Sequence, residues 1–186
     1  ERVPLTIAGA DIEKGTITLV IQKVGHSSTQ ICDLNVGDQI ADIVGPLGQA
    51  THIDNFGTVV CAGGGVGVAP MLPIIQALKA AGNRVISVLA GRFKNNIIPG
   101  DEVRKSSYEA VSMTDDGSYG EKGNVCMPIN KMLENGETFD EVITIGPLIM
   151  MKFVVEAVRP FGIPCTVSMN PIMIDGTGMC GGCRLS

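Results

Sequence analysis

Gly63-Gly64-Gly65-Val66-Gly67-Val68-Ala69-Pro70 lies between a short apolar run, Thr58–Ala62, and a stretch in which Met71, Leu72, Ile74, Ile75 and Leu78 are spaced for one face of a helix. Strand, glycine turn and helix in that order open a βαβ unit. Pro70 falls in the first helical turn, where its missing N–H does no harm, and Gly82 supplies a C-terminal stop. The glycines allow two readings. They permit a tight βα connection, and they also let backbone N–H groups approach a pyrophosphate at a helix N-terminus. On the second reading Gly64, Gly65, Val66 and Gly67 are the cofactor-binding positions.

The alternation continues downstream. Arg84–Ala90 and Glu109–Met113 read as strands, Val125–Glu134 as a helix, Val142–Ile145 as a strand, Pro147–Arg159 as a helix and Cys165–Ser168 as a strand. Strands alternating with helices predict an α/β domain over residues 56–168, built on a parallel, doubly wound sheet. In such sheets ligands lie at the carboxyl ends of strands. Gly146 and Pro147 stand at such an end, as Gly63 does, and Asp116 lies in a polar loop, Thr114–Gly120, after another strand. These join the cofactor-binding candidates. Met150 and Met151, which follow Gly146-Pro147, read as core packing.

Upstream of Phe56 the chain is β-rich. Residues 1–8 read as a strand already under way. Thr16–Val24 alternates Ile17, Leu19 and Ile21 with polar residues, and Gln39–Val44 is a second short run left through Gly45-Pro46-Leu47-Gly48. Short strands between turn signals predict part of an antiparallel barrel over residues 1–55. They are too few to close one, so further sequence is expected before Glu1. Arg2-Val3-Pro4-Leu5-Thr6 contains either an ordinary surface arginine or an Arg for a phosphate and a Thr hydroxyl for a ring nitrogen. Gly25-His26-Ser27-Ser28-Thr29 is either a hairpin turn or a set of N–H and hydroxyl groups for a diphosphate.

The chain closes on Asp175-Gly-Thr-Gly-Met-Cys180-Gly-Gly-Cys183-Arg184. Plant-type [2Fe–2S] loops run Cys, four residues, Cys, two residues, Cys. Here the spacing is kept, with Asp175 where the first thiolate would stand. A half zinc site and two free thiols are the competing readings. A fourth ligand would have to come from beyond Ser186.

Composition narrows the function classes. A hydrophobic content of 45% supports a well-buried core. Aromatic residues make up 4% and Trp is absent, which removes a stacking platform for single-stranded nucleic acid. The net charge is −5 and no basic run is present, which argues against a nucleic-acid partner. No stretch approaches the roughly 18 apolar residues of a membrane span, and no signal-peptide pattern opens the chain. Of the six cysteines only Cys180 and Cys183 have motif spacing. The other four fit a reduced, cytoplasmic compartment. His26 and His52 have no partners in sequence, so hydrolytic triad chemistry has no support.

Taken in order, these pieces resemble the ferredoxin–NADP reductase superfamily, which joins an FAD-binding antiparallel barrel to a pyridine-nucleotide domain. Arg2-Val3-Pro4-Leu5-Thr6 is similar to its flavin motif, Gly25–Thr29 to its flavin-diphosphate turn, Gly45–Gly48 to its barrel-end loop, Gly63–Pro70 to its nucleotide motif and Gly146-Pro147 to its later glycine at the nicotinamide side. Within that superfamily the chain resembles the small subunits of two-subunit systems: NADH-dependent ferredoxin:NADP oxidoreductase, also known as sulfide dehydrogenase, and the electron transfer subunit of dihydroorotate dehydrogenase. The dihydroorotate type carries Cys at the first ligand position, and Asp175 matches the other branch.

The resemblance implies an oxidoreductase subunit that passes electrons between NAD(P)H, FAD and a [2Fe–2S] cluster. It implies a larger flavoprotein or iron–sulfur partner, with ferredoxin as a further acceptor. Residues 1–55 would be the C-terminal part of the FAD barrel, 56–168 the nucleotide domain and 169–186 the start of the cluster segment. Thr6 is the implied catalytic position, and Asp175, Cys180 and Cys183 the implied metal ligands. Two alternatives stay open: the dihydroorotate-type subunit, and a non-catalytic redox relay or assembly subunit. NADH and NADPH are not distinguished.

Overall fold

A computed structural model describes residues 3–185. Two strands, β1 (Ile7–Asp11) and β2 (Thr16–Leu19), pair antiparallel. A short helix α1 (His26–Cys32) follows, and then an irregular stretch to residue 57. The larger body consists of β3 (Thr58–Gly64), α2 (Val68–Ala80), β4 (Arg84–Gly91), α3 (Gly100–Ser106), β5 (Glu109–Thr114), β6 (Glu121–Lys122), α4 (Cys126–Glu134), β7 (Glu141–Ile145), α5 (Leu148–Val158) and β8 (Cys165–Ser168). These strands form one parallel six-stranded sheet in the order β6-β5-β4-β3-β7-β8.

The central strand explains the layering. Successive side chains of β3 point to opposite faces of the sheet. Val59 and Cys61 pack with Met71, Ile75 and Leu78 of α2, while Val60 joins Ile129 of α4 and Val154 of α5. Both faces are covered, so β3 is a continuous apolar run rather than an alternating one. Each fully buried Leu, Ile or Val here contributes about 1.5–3 kcal/mol relative to exposure. The chain runs from β3 outward through β4, β5 and β6, then returns through α4 to β7 on the other side of β3. This reversal creates a switch point between the carboxyl ends of β3 and β7.

The parallel-sheet body follows the sequence expectation closely, with α3 and the two-residue β6 as additions. The first 55 residues depart from it in four places. Strand β2 ends at Leu19, short of the expected Val24. The first strand begins at Ile7, later than the expected start. Gly25–Thr29 is the start of helix α1 and not a hairpin turn. Ser28 Oγ accepts the N–H groups of Val24 and Gly25, each at 3.0 Å, and the Thr29 N–H donates to the Gly25 carbonyl at 3.0 Å. This local hydroxyl cap closes the turn into a helix. Gln39–Val44 is not a strand. Its Ile43 and Val44 are each 65% exposed. A short run of this kind becomes a strand only where a neighbouring edge takes its backbone hydrogen bonds, and the described residues offer none.

The small sheet is tied to the large one. Ala8 of β1 is buried, and β1 lies against α2. Asn83 fixes the connecting segment: its Oδ1 accepts the N–H groups of Phe56 (2.8 Å) and Gly57 (3.0 Å), and its Nδ2 donates to the carbonyls of Asp54 (2.7 Å) and Leu78 (2.9 Å).

Candidate functional site

The glycine turn and the end of β7 meet at the switch point. A methyl group on Gly67 would stand 2.5 Å from the Ile145 carbonyl oxygen and 3.0 Å from Gly146 Cα. One on Gly146 would stand 3.1 Å from both N and O of Gly64 and 2.7 Å from Met150 Cε. Only glycine lets these backbones approach so closely. Gly65 begins the turn with φ +57°, and the space where a side chain would project from it is open. The turn Gly65–Gly67 leads directly into α2, whose first-turn N–H groups and helix dipole favour an anion. Gly64, Gly65, Val66, Gly67, Gly146 and Pro147 therefore lie at one crevice, as the sequence analysis expects.

Asp116 lies further along the same sheet edge, after β5. Its carboxylate accepts the Ser118 N–H at 3.0 Å, and bonding to Ser118 holds its pKa below the ordinary carboxylate value. Thr114 Oγ1 donates to the Tyr119 carbonyl and accepts the Tyr119 N–H, which shapes the loop. The sequence analysis missed what this loop assembles. The Tyr119 ring has Lys94 Nζ 5.4 Å and Arg104 Cζ 5.1 Å from its centroid. Beside it is a cavity of about 330 Å³ lined by Lys94, Ile97, Ile98, Pro99, Glu102 and Tyr119. These residues come from three separate segments, so no local motif announces them.

In the first 55 residues, Pro4, Leu5 and Thr6 form an exposed lead into β1. Arg2 lies outside the described residues. Gly25 caps α1, and the space beside its Cα is open. Ser27 and Ser28 are partly buried there and Thr29 is exposed. Donors in an exposed first helical turn are chemically suited to a diphosphate.

In the terminal loop Asp175 Oδ1 accepts the Thr177 N–H at 3.0 Å, and Oδ2 accepts the Cys180 N–H at 3.1 Å. The Thr177 N–H contributes most to holding the Asp175 pKa down. The Gly182 N–H donates to Cys180 Sγ at 3.4 Å. Cys180 and Cys183 are exposed, whereas burial pushes the Cys61 thiol up to about 12 and the Cys165 thiol to about 11. The exposed pair is thus the one suited to ligation. Among the described residues no three His, Cys, Asp or Glu side chains are gathered closely enough to hold a metal ion. The donor chemistry of Asp175, Cys180 and Cys183 fits three of the four positions around a [2Fe–2S] cluster, without their being gathered as a set.

No protein-family model matches the chain. Over all 186 residues it is 45% identical to the dihydroorotate dehydrogenase B (NAD(+)), electron transfer subunit homolog of Thermotoga maritima, of which it covers 65%. Over 98% of its length it is 34% identical to the probable dihydroorotate dehydrogenase B (NAD(+)), electron transfer subunit of Methanopyrus kandleri, of which it covers 68%. The chain belongs to the family of dihydroorotate dehydrogenase B electron transfer subunits. It spans about two thirds of the length of these relatives, 65% in the first case. A solved structure shares this architecture. A chain of the NADH-dependent reduced ferredoxin–NADP oxidoreductase, a structure that gives insights into flavin-based electron bifurcation, matches with a TM-score of 0.89 and 44% identity. The match covers 99% of the present chain and 66% of that one. The fold is that of the ferredoxin–NADP reductase superfamily, as the sequence resemblance implied. Among the described residues no helix is long and apolar enough to cross a membrane.

Proposed function

We propose that the chain is an electron-transfer subunit that draws reducing equivalents from NAD(P)H and hands them to a larger flavoprotein or iron–sulfur partner, with ferredoxin as a further acceptor. The observation that carries this reading is the close approach of Gly67 to Ile145 and Gly146, which brings the glycine turn and the end of β7 together at the β3–β7 switch point of a reductase-type fold. Residues 1–55 serve the flavin, 56–168 the nucleotide and 169–186 the cluster.

Each region has a physical task. The N–H groups of the Gly64–Gly67 turn and the first turn of α2 bind the nucleotide pyrophosphate. The nicotinamide lies at Gly146 and Pro147, at the carboxyl end of β7, where ligands of open α/β sheets sit. Asp116, kept ionised by Ser118, orders the loop on the same edge. Arg2, Pro4, Leu5, Gly25, Ser27, Ser28 and Thr29 hold FAD, and the Thr6 hydroxyl hydrogen-bonds the reacting ring nitrogen. Asp175, Cys180 and Cys183 hold three positions of the cluster. FAD accepts a hydride, two electrons with one proton, and can release electrons singly to a one-electron carrier.

The test is a visible spectrum with flavin and iron analysis on the full-length protein, followed by reduction of an artificial acceptor with NADH or NADPH. Bound flavin and turnover with either nucleotide are expected. Flavin without iron removes the cluster, zinc in place of iron replaces it, and flavin with no turnover leaves a non-catalytic relay or assembly subunit. Co-purification of a dihydroorotate-oxidising subunit assigns the dihydroorotate-type role.

A further inference from the structure

Gly64 and Gly146 share a neighbour. A methyl group on Gly64 would overlap Met150 Sδ and lie 3.2 Å from Met150 Cε, and one on Gly146 would lie 2.7 Å from the same Cε. The register of β3 and β7 brings the two glycines side by side, since Gly63 is already opposite Ile145. The Met150 thioether therefore fills the notch between the two strand ends. It is half-buried, packed from below against the core formed by α4, α5 and the sheet. Its neighbours on α5 do different work. Leu148 and Ile149 are 65% and 58% exposed, and Met151 is buried. Of the residues in this turn, Met150 is the one that both rests on the core and reaches the notch.

We infer that Met150 is a positioning residue for the nicotinamide: its thioether forms the floor on which the planar ring packs and sets the depth of the ring in the crevice. The inference rests on the reading given under Proposed function. A thioether suits the task because it is unbranched, adapts to an irregular gap and makes favourable contact with aromatic rings. A floor that sets depth acts on the reacting geometry more than on affinity. The phosphates dominate binding, while a small displacement of the ring slows the chemical step.

The experiment uses the full-length holoprotein, with NADH and NADPH, in stopped-flow measurements of flavin reduction. Met150→Leu, close in volume, is expected to stay within about twofold of the parent. Met150→Ala is expected to lose at least about tenfold in the flavin-reduction rate at saturating nucleotide, with a smaller change in KM. The charge-transfer absorbance between nicotinamide and flavin should weaken in parallel. If Met150→Ala melts early, Gly64→Ala/Met150→Ala takes its place, because the added methyl restores packing between the strand ends but is too short to rebuild the floor. The same rate loss is expected there. A parent that is reduced by nucleotide while both variants keep its rate and charge-transfer band overturns the inference alone. A parent that holds flavin and reacts with neither nucleotide overturns the functional reading, and the inference with it.

Discussion

The Asp175 carboxylate accepts the backbone N–H of Cys180 at 3.1 Å, so the residue at the first proposed ligand position also braces the second. If the cluster is present, replacing this oxygen donor with a softer thiolate puts more electron density on iron. Asp175→Cys is expected to keep a cluster and to lower its midpoint potential, by on the order of 100 mV. A redox titration followed by electron paramagnetic resonance reads the shift. An unchanged titration curve argues that Asp175 is no ligand.

Gly67→Ala tests the switch point. Its methyl would meet the Ile145 carbonyl at 2.5 Å, and both partners are backbone in buried elements. The strand ends would have to separate, at a cost of about 1–3 kcal/mol. A fall in urea midpoint together with loss of nucleotide binding by calorimetry is the expected outcome. Parental stability and affinity would show that the two turns are not in contact.

Asn83 accepts two hydrogen bonds and donates two, and joins the 54–57 segment to the end of α2. Asn83→Ala strips partners from backbone groups, at about 1–3 kcal/mol for each left buried and dry. Partial hydration of the segment brings the expected total to about 3 kcal/mol. Hydrogen exchange should rise first at Phe56 and Gly57. A loss spread evenly over the sheet would contradict a local clamp.

Cys61 gives the pH dependence a definite sign. Its thiol is raised from 9.0 to about 12 by burial, so above pH 9 the unfolded chain loses this proton while the folded chain keeps it. The resulting stability is present below pH 9 and is lost as pH rises toward 12. By pH 10 the loss is about 1.4 kcal/mol. Cys61→Ala should flatten this slope in urea titrations at pH 8 and 10. Alkylation of the native protein should modify Cys180 and Cys183 first and leave Cys61 untouched.

Thr144 Oγ1 is buried with no hydrogen-bond partner among the described residues. Thr144→Val removes that hydroxyl at nearly constant shape, and is expected to leave stability unchanged or raise it by about 1 kcal/mol. A clear drop in thermal midpoint would reveal a partner for the hydroxyl.

Much of the parallel-sheet body is legible from residues 56–168 read alone. The apolar run Thr58–Ala62, the glycines after it and the one-sided spacing of Met71, Leu72, Ile75 and Leu78 carry their meaning locally, because strand and helix periods and glycine turns are short-range properties. The same holds for the spacing of Asp175, Cys180 and Cys183. Gly25–Thr29 was harder, because the Ser28 hydroxyl decides between turn and helix through two hydrogen bonds that composition does not reveal. Gln39–Val44 shows the opposite limit: the short run between turn signals is present, but a strand needs an edge to join.

By itself, then, the sequence determined the main strands and helices from residue 56 onward, the glycine turn and the spacing of Cys180 and Cys183. Only the tertiary structure decided which strand ends face each other. The pairing of β3 with β7, distant in the chain, brings Gly64 and Gly67 against Ile145 and Gly146 and sets Met150 between them. Parallel strands are joined through long crossovers, so such meetings are fixed by the packing of helices on both faces of the sheet and not by neighbouring residues.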